Sequence, residues 1–313
     1  MPVYRSSTAE RAASIALAAR TDVGRSREHN EDTFLISDLA RGLAYGPAAA
    51  QAAQVSVEPP LALALGVFDG SGGASSPDAA SRLAARTIHA VLSRSSSRTS
   101  DDLGRWLLDA IAEAGRAVLD NARRSAQHRS SGSTATVAAL CDERLLVAQV
   151  GDSRAYLLRG GALTQLTRDQ TLLQSLLDSG KLRPEEATTF AHRGVMLQAL
   201  GLREHLCVAL SAVELRRDDT LLLCTDGLSD LVDPRQIAAA LGAHPDPAAA
   251  ARALIDGALG AGGGDNVTVL VARFDGPWLA PPTGDDWTQV IDIIRFFDGQ
   301  PRWRPHVRRA GSR

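Results

Sequence analysis

The sequence has almost no lysine: Lys181 is the single one among 34 Lys+Arg residues. Any basic surface must therefore be built from arginine. The charges nearly cancel, with 36 Asp+Glu and a formal net charge of −2. That balance argues against a nucleic-acid binder working by bulk positive charge and against a disordered polyelectrolyte. No apolar run approaches the roughly 20 residues that span a bilayer. The opening stretch MPVYRSSTAERAAS has no apolar segment behind its charges, so no secretory signal is expected. Cysteine is scarce as well: Cys141, Cys207 and Cys224 form no C-x-x-C pair, and each sits among aliphatic residues. They read as buried reduced thiols, which suits a cytoplasmic protein, and thiolate zinc is not expected. Asparagine occurs only at Asn30, Asn121 and Asn266, and Asp far outnumbers Glu. Scarce Lys and Asn beside abundant Ala, Arg and Gly suggest genome-wide codon bias. The Asp excess fits either that bias or ligand chemistry.

What is present is a globular composition, 44% apolar over 313 residues, enough for one large domain or two small ones. Strand-length apolar runs recur at Thr33–Ser37, Leu61–Phe68, Thr134–Leu140, Leu145–Val150, Ala155–Leu158, Leu206–Val213, Thr220–Cys224 and Val267–Phe274. The segment RAYLLRGGALTQLT predicts a hairpin turning at Gly160-Gly161. Helical patterning marks Asp78 to about Leu92 and Asp102 to about Arg124. Shorter helices are predicted at Gln170–Ser179, Pro234–Leu241 and Pro247–Leu259, and a last one near Asp285–Phe297. Strands do not alternate with helices one by one, which favours antiparallel sheets with helices on their outer faces. Leu39–Pro60 reads as a long insertion between strands. From Gly276 the composition changes to Pro-rich turns, an apolar helical stripe (Val290, Ile291, Ile294, Phe297) and an Arg-rich end.

Acidic residues stand where strand-like runs stop. LALALGVF runs into Asp69-Gly70, LLVAQV into Gly151-Asp152, TLLLCT into Asp226-Gly227, and Asp265-Asn266 precedes VTVLVARF. A further acidic group is Asn30-Glu31-Asp32. One Asp-Gly is more often a plain turn. Several, if strand ends converge, would repel one another unless a cation sits between them. Oxygen-only ligation selects hard ions such as Mg²⁺, Mn²⁺ or Ca²⁺. Arg27, four residues before Glu31, offers a planar fork that suits phosphate oxygens.

Six stretches, in this order, resemble the metal-dependent protein Ser/Thr phosphatases of type 2C (the PPM family), bacterial form. They are TDVGRSREHNED, GVFDGSGG with the later AAS, SGSTATVAAL, VAQVGDSRAYLLRGGALTQLTRDQT, TLLLCTDGLSDLV and GGGDNVTVLVARF. The resemblance implies an α+β fold, a four-layer α-β-β-α sandwich of two mainly antiparallel sheets flanked by helices. It implies a catalytic domain over residues 12–275 and a C-terminal extension, 276–313, with one helix and an Arg-rich end. It also implies two Mn²⁺ or Mg²⁺ ions, with Asp69 bridging them and the Gly70 carbonyl on the second. Asp226 and Asp265 would hold the first ion, Glu31 and Asp32 would act through water, and Asp152 with Asp226 matches a weaker third-metal site. Arg27 would grip the substrate phosphate. A water bridging the dinuclear centre would then hydrolyse phosphoserine or phosphothreonine in proteins, opposing a bacterial Ser/Thr kinase. The partners implied are phosphorylated proteins, with neither nucleic acid nor membrane, and a cytoplasmic monomer is expected.

Departures from the pattern carry their own expectations. The His that follows Asp-Gly in animal-type members is Ser71 here, and the bacterial Met-Gly-Gly-His is Ser71-Gly72-Gly73-Ala74. These changes, with the extension, motivate an alternative: a pseudophosphatase that binds or scaffolds phosphoproteins without turnover. Lys181–Gln198 corresponds to the family's mobile flap, where His192 and Arg193 are candidates to touch substrate, Arg193 the stronger. Asn266 is expected to shape the turn that presents Asp265, and Asp169 and Asp230 to cap helices.

Overall fold

Two antiparallel sheets are stacked face to face, as expected for strands that bury apolar side chains on the inner surface. The computed structural model describes residues 14–46, 52–57, 62–72, 78–94, 100–124, 131–283, 290–293 and 306–308. The first sheet runs β11 (Ala162–Gln165), β10 (Arg154–Arg159), β13 (Thr220–Cys224), β14 (Val267–Asp275), β1 (Ser14–Asp22), β4 (Ala52–Val57). The second runs β16 (His306–Arg308), β15 (Val290–Ile293), β12 (Ala209–Glu214), β9 (Arg144–Val150), β8 (Ala135–Cys141), β5 (Ala62–Phe68), β2 (Thr33–Asp38), β3 (Leu43–Tyr45). A two-strand ladder, β6 (Gly70–Ser71) with β7 (Gly132–Ser133), sits at one end.

Between the sheets Ile15, Leu17, Leu157 and Leu223 of the first meet Phe34, Ile36, Leu65 and Val147 of the second, all nearly inaccessible to water. The outer faces are covered too. Helices α1 (Ala79–Leu92) and α2 (Ser100–Arg124) lay Ile88, Leu107 and Ile111 against Phe68, Val137 and Leu146. On the other side α5 (Pro234–Ala243) and α6 (Pro247–Gly260) lay Ile237, Leu254 and Ile255 against Tyr156, Leu222 and Val269. The unbroken apolar run of β13 follows from this layering. Leu221 and Leu223 face the inter-sheet core, while Leu222 and Cys224 face the helices. Truncating a fully buried leucine such as Leu223 to Ala would cost about 2–5 kcal/mol. The four-layer α-β-β-α sandwich expected above is the observed architecture.

The predicted hairpin is present: Arg159 pairs with Ala162, and Gly160 and Gly161 both take positive φ (56° and 82°), as a tight turn matching strand twist requires. Two expectations are corrected. The stretch Leu39–Pro60 is not merely an insertion, because it supplies β3 beside β2 and β4 beside β1. The helix expected near Asp285–Phe297 is a strand over Val290–Ile293, paired with Leu210–Ala212 of β12; the rest of that stretch lies outside the described residues. Three of the four residues in VIDI are β-branched, and such side chains fit a strand better than a helix. The open edge of β12 gives them a ladder to join. Most of the Arg-rich end also lies outside the described residues.

Candidate metal centre

Four strand ends from both sheets deliver acidic residues to one end of the sandwich. Asp69 follows β5 and Asp152 follows β9, from the second sheet. Asp226 opens the short helix α4 (Asp226–Ser229) after β13, and Asp265 precedes β14, from the first. Carboxylate oxygens of Asp69, Asp152 and Asp226 all lie within 4.8 Å of one another. Asp265 stands beside this group with Oδ2 accepting from Arg27 Nη2 at 2.8 Å. Asp32 is buried, and its Oδ2 accepts from Thr225 Oγ1 at 2.8 Å. Glu31 Oε2 accepts from the Gly72 N–H at 3.2 Å.

Local bonds fix these positions. The Asp69 N–H donates to Thr134 Oγ1 (2.9 Å) while the Thr134 N–H donates to the Asp69 carbonyl (2.8 Å). Thr134 Oγ1 also meets Ser153 Oγ at 2.7 Å, tying the Asp69 turn to the Asp152 turn. The Asn266 N–H donates to Asp265 Oδ1 at 2.8 Å, closing the Asp265 turn through the backbone. Gly70 has no room for a side chain: a Cβ there would come 2.5 Å from the Glu31 carbonyl oxygen.

The electrostatics are those of crowded anions. Burial, then repulsion from Asp32, Asp226, Asp152 and Asp265, holds the Asp69 carboxyl well above the usual carboxylate range. Burial also pushes Asp32 and Asp152 up to about 7, and burial followed by Asp230 and Asp265 pushes Asp226 up to about 6. Arg27 is raised by its hydrogen bond to Asp265. Buried Asp32 Oδ1 and Asp152 Oδ1 have no hydrogen-bond partner among the described residues. Orphaned carboxylate oxygens in a converging, all-oxygen group fit a hard divalent cation.

Other candidates fall outside the cluster. Arg193 is exposed in the segment after the 3₁₀ turn Pro184–Thr189, and His192 stacks edge-on to Phe190 with ring centroids 5.9 Å apart. Asp169 does not cap a helix: Thr171 caps α3 (Leu172–Asp178), and Asp169 instead binds Arg154, with Nη2 to Oδ2 at 2.6 Å. Asp230 does cap a helix, as the C-cap of α4, with its N–H donating to the Asp226 carbonyl at 2.8 Å. The Thr134–Ser153 link, absent from the expectations, was signalled only by hydroxyl residues at strand ends in SGSTAT and GDSR. Gly73 and Ala74 of the altered loop lie outside the described residues.

Sandwich and site together define a class: an α+β sandwich with an oxygen-only acidic centre at the ends of its strands. A family model described as protein phosphatase 2C matches residues 52–174. The serine/threonine phosphatase stp of Listeria monocytogenes is 30% identical over 257 residues, covering 82% of this chain and 94% of that protein. The crystal structure of the Mycobacterium tuberculosis serine/threonine phosphatase PstP/Ppp superposes with a TM-score of 0.70 at 34% identity, over 84% of this chain and 99% of that one. The catalytic domain of PstP in complex with 2 manganese ions is similar too, with a TM-score of 0.67 at 33% identity over 84% and 99% of the two chains. The chain belongs to the protein phosphatase 2C family, in its bacterial form, a family of protein-serine/threonine phosphatases.

Proposed function

We propose that this chain hydrolyses phosphoserine and phosphothreonine in proteins at the acidic end of the sandwich, loaded with two divalent ions, Mn²⁺ or Mg²⁺. The observation that carries the reading is the convergence of Asp69, Asp152 and Asp226 with a buried, unpartnered oxygen on Asp152. Asp69 would hold both ions, the Gly70 carbonyl the second, Asp226 and Asp265 the first, and Asp152 with Asp226 a weaker third. Glu31 and Asp32 would order water around them. When bound, such ions supply the positive charge that acidifies water and stabilises phosphoryl oxygens.

The chain's own groups do the rest. Arg27, with its side chain 55% exposed, can turn its planar fork to the substrate phosphate and hold two of its oxygens. Thr134 and Asn266 hold the Asp69 and Asp265 turns in place, so little reorganisation is needed at the moment of reaction. Ser71 stands where animal-type members carry a histidine, so the proton for the leaving alkoxide is assigned to water. Arg193, exposed within the Lys181–Gln198 flap segment, would contact the substrate protein. Those substrates would be proteins phosphorylated by Ser/Thr kinases in the cytoplasm, a compartment that suits the buried thiol of Cys224.

The test is Mn²⁺-dependent hydrolysis of an aryl phosphate by the wild type, Asp69→Asn and Asp226→Asn. The wild type should turn over and both variants should lose most activity; equal activity in all three would sink the reading.

A further inference from the structure

One buried side chain bonds both ends of the loop that carries Arg27, a loop also tethered by the ion pair of Arg27 with Asp265 at 2.8 Å. Asn266 is 5% exposed, and its amide is fully used. Nδ2 donates to the carbonyl oxygens of Val23 and His29, each at 2.9 Å, and Oδ1 accepts from the Glu31 N–H at 2.8 Å. Val23 and His29 flank the Arg27 loop on either side. The loop's backbone closes onto the same turn: the Arg25 N–H donates to the Gly263 carbonyl at 2.7 Å. Gly24 (φ +78°) lies so close that a Cβ would come 2.2 Å from the Asp265 carbonyl oxygen.

We infer that Asn266 is a positioning residue for phosphate binding, acting through Arg27, beyond its expected part in shaping the Asp265 turn. The inference rests on the reading of Arg27 as the phosphate-gripping group. The neighbouring acidic residues have anchors of their own. Glu31 is held by Ser81 Oγ on its carbonyl (2.6 Å) and by the Gly72 N–H on its carboxylate. Asn30 Nδ2 donates to Thr21 Oγ1 (2.8 Å), and the Asp32 N–H donates to Asn30 Oδ1 (3.1 Å). The bond to Asp265 Oδ1 comes from the backbone of Asn266, so it survives a side-chain change. Loss of the Asn266 amide therefore leaves the carboxylates in place and loosens the loop between Val23 and His29, which keeps only the Arg25–Gly263 bond and the Arg27–Asp265 ion pair on that turn. A guanidinium that samples many positions binds phosphate more weakly, whereas the step that follows correct binding is little changed.

The experiment measures kcat and KM on a phosphothreonine peptide with saturating Mn²⁺, and Kd for Mn²⁺ by calorimetry. It compares wild type, Asn266→Ala, Asn266→Asp, Arg27→Ala and the Asn266→Ala/Arg27→Ala pair. Asn266→Asp keeps the acceptor for the Glu31 N–H and loses both donors, and being nearly isosteric it serves if the alanine variant does not fold. Expected are a rise in KM of roughly tenfold in either Asn266 variant, with kcat and the Mn²⁺ Kd within about threefold. In the Arg27→Ala background the further rise should shrink to under about twofold, because the two residues act as one unit. An unchanged KM, a rise that persists in full without Arg27, or a loss confined to Mn²⁺ affinity would overturn the assignment. If Arg27→Ala itself left KM unchanged, the inference would fall while Mn²⁺-dependent hydrolysis stood. A wild type without Mn²⁺-dependent turnover would instead bring down the functional reading.

Discussion

Asp226→Asn should make the metal-free protein more stable while removing what the metal contributes. Asp226 is half-buried within the acidic group, and its carboxyl is raised from an ordinary 3.8 to about 6. Holding it ionised at pH 8 therefore costs about 3 kcal/mol. A neutral amide of the same shape escapes that cost, less about 0.3–1 kcal/mol for losing an anion in the first turn of α4. The net expectation is a gain of about 2 kcal/mol at pH 8, which in a chain this long raises the melting midpoint by about 4 °C. Because the folded carboxyl is raised, its stabilising influence is whole below about pH 4 and fades as pH climbs through about 6. The advantage of the Asp226→Asn variant should accordingly be absent near pH 4 and full by pH 8. Mn²⁺ at a hundred times its Kd adds about 2.7 kcal/mol to a protein that binds it. The ranking should then reverse, because the wild type gains that amount and Asp226→Asn little of it. Thermal melts at pH 4, 6 and 8, with EDTA or with Mn²⁺, read all of these. A variant less stable than wild type at pH 8 in EDTA, or equally stabilised by Mn²⁺, would refute the reasoning.

Thr134→Val removes the hydroxyl that joins the Asp69 N–H to Ser153. It should lower stability by about 1–3 kcal/mol and weaken Mn²⁺ binding, read by urea unfolding and by calorimetry. Arg159 and Asp219 form an ion pair whose side chains are 9% and 0% exposed, remote from the cluster. Arg159→Met leaves Asp219 buried without its partner and should cost about 3–5 kcal/mol, while the folded fraction keeps its Mn²⁺ affinity.

The sequence made the strand ends visible, and with them the site, for one physical reason. An Asp that weakens a strand interior is tolerated where the strand stops, so LALALGVF-Asp69 and TLLLCT-Asp226 announce both the element and its terminus. Layering was legible for the same cause, since β13 is apolar on both faces only because helices cover it. The extension was misjudged because a short run such as VIDII satisfies a helical stripe and a strand equally, and only the open edge of β12 decides between them. β4 escaped notice because AAQVSV, rich in alanine, carries little strand signal apart from its neighbour β1. Asp169 looked like a cap because Asp before a helical run usually is one. Its partner, Arg154, opens β10 while Asp169 stands in the loop after β11, and no pattern local to Asp169 reveals that contact. The same limit hid the bonds of Asn266 to a loop more than 230 positions away.

These carboxylates should bind divalent ions in order to remove phosphate from protein serine and threonine. Phosphate release from a phosphothreonine peptide, followed with Mn²⁺ and again after EDTA, tests it most directly. Turnover with Mn²⁺, its loss in EDTA, its return when Mn²⁺ is restored, and its absence in Asp69→Asn are predicted. Release that is indifferent to EDTA, or no release from the metal-loaded wild type, would contradict the account.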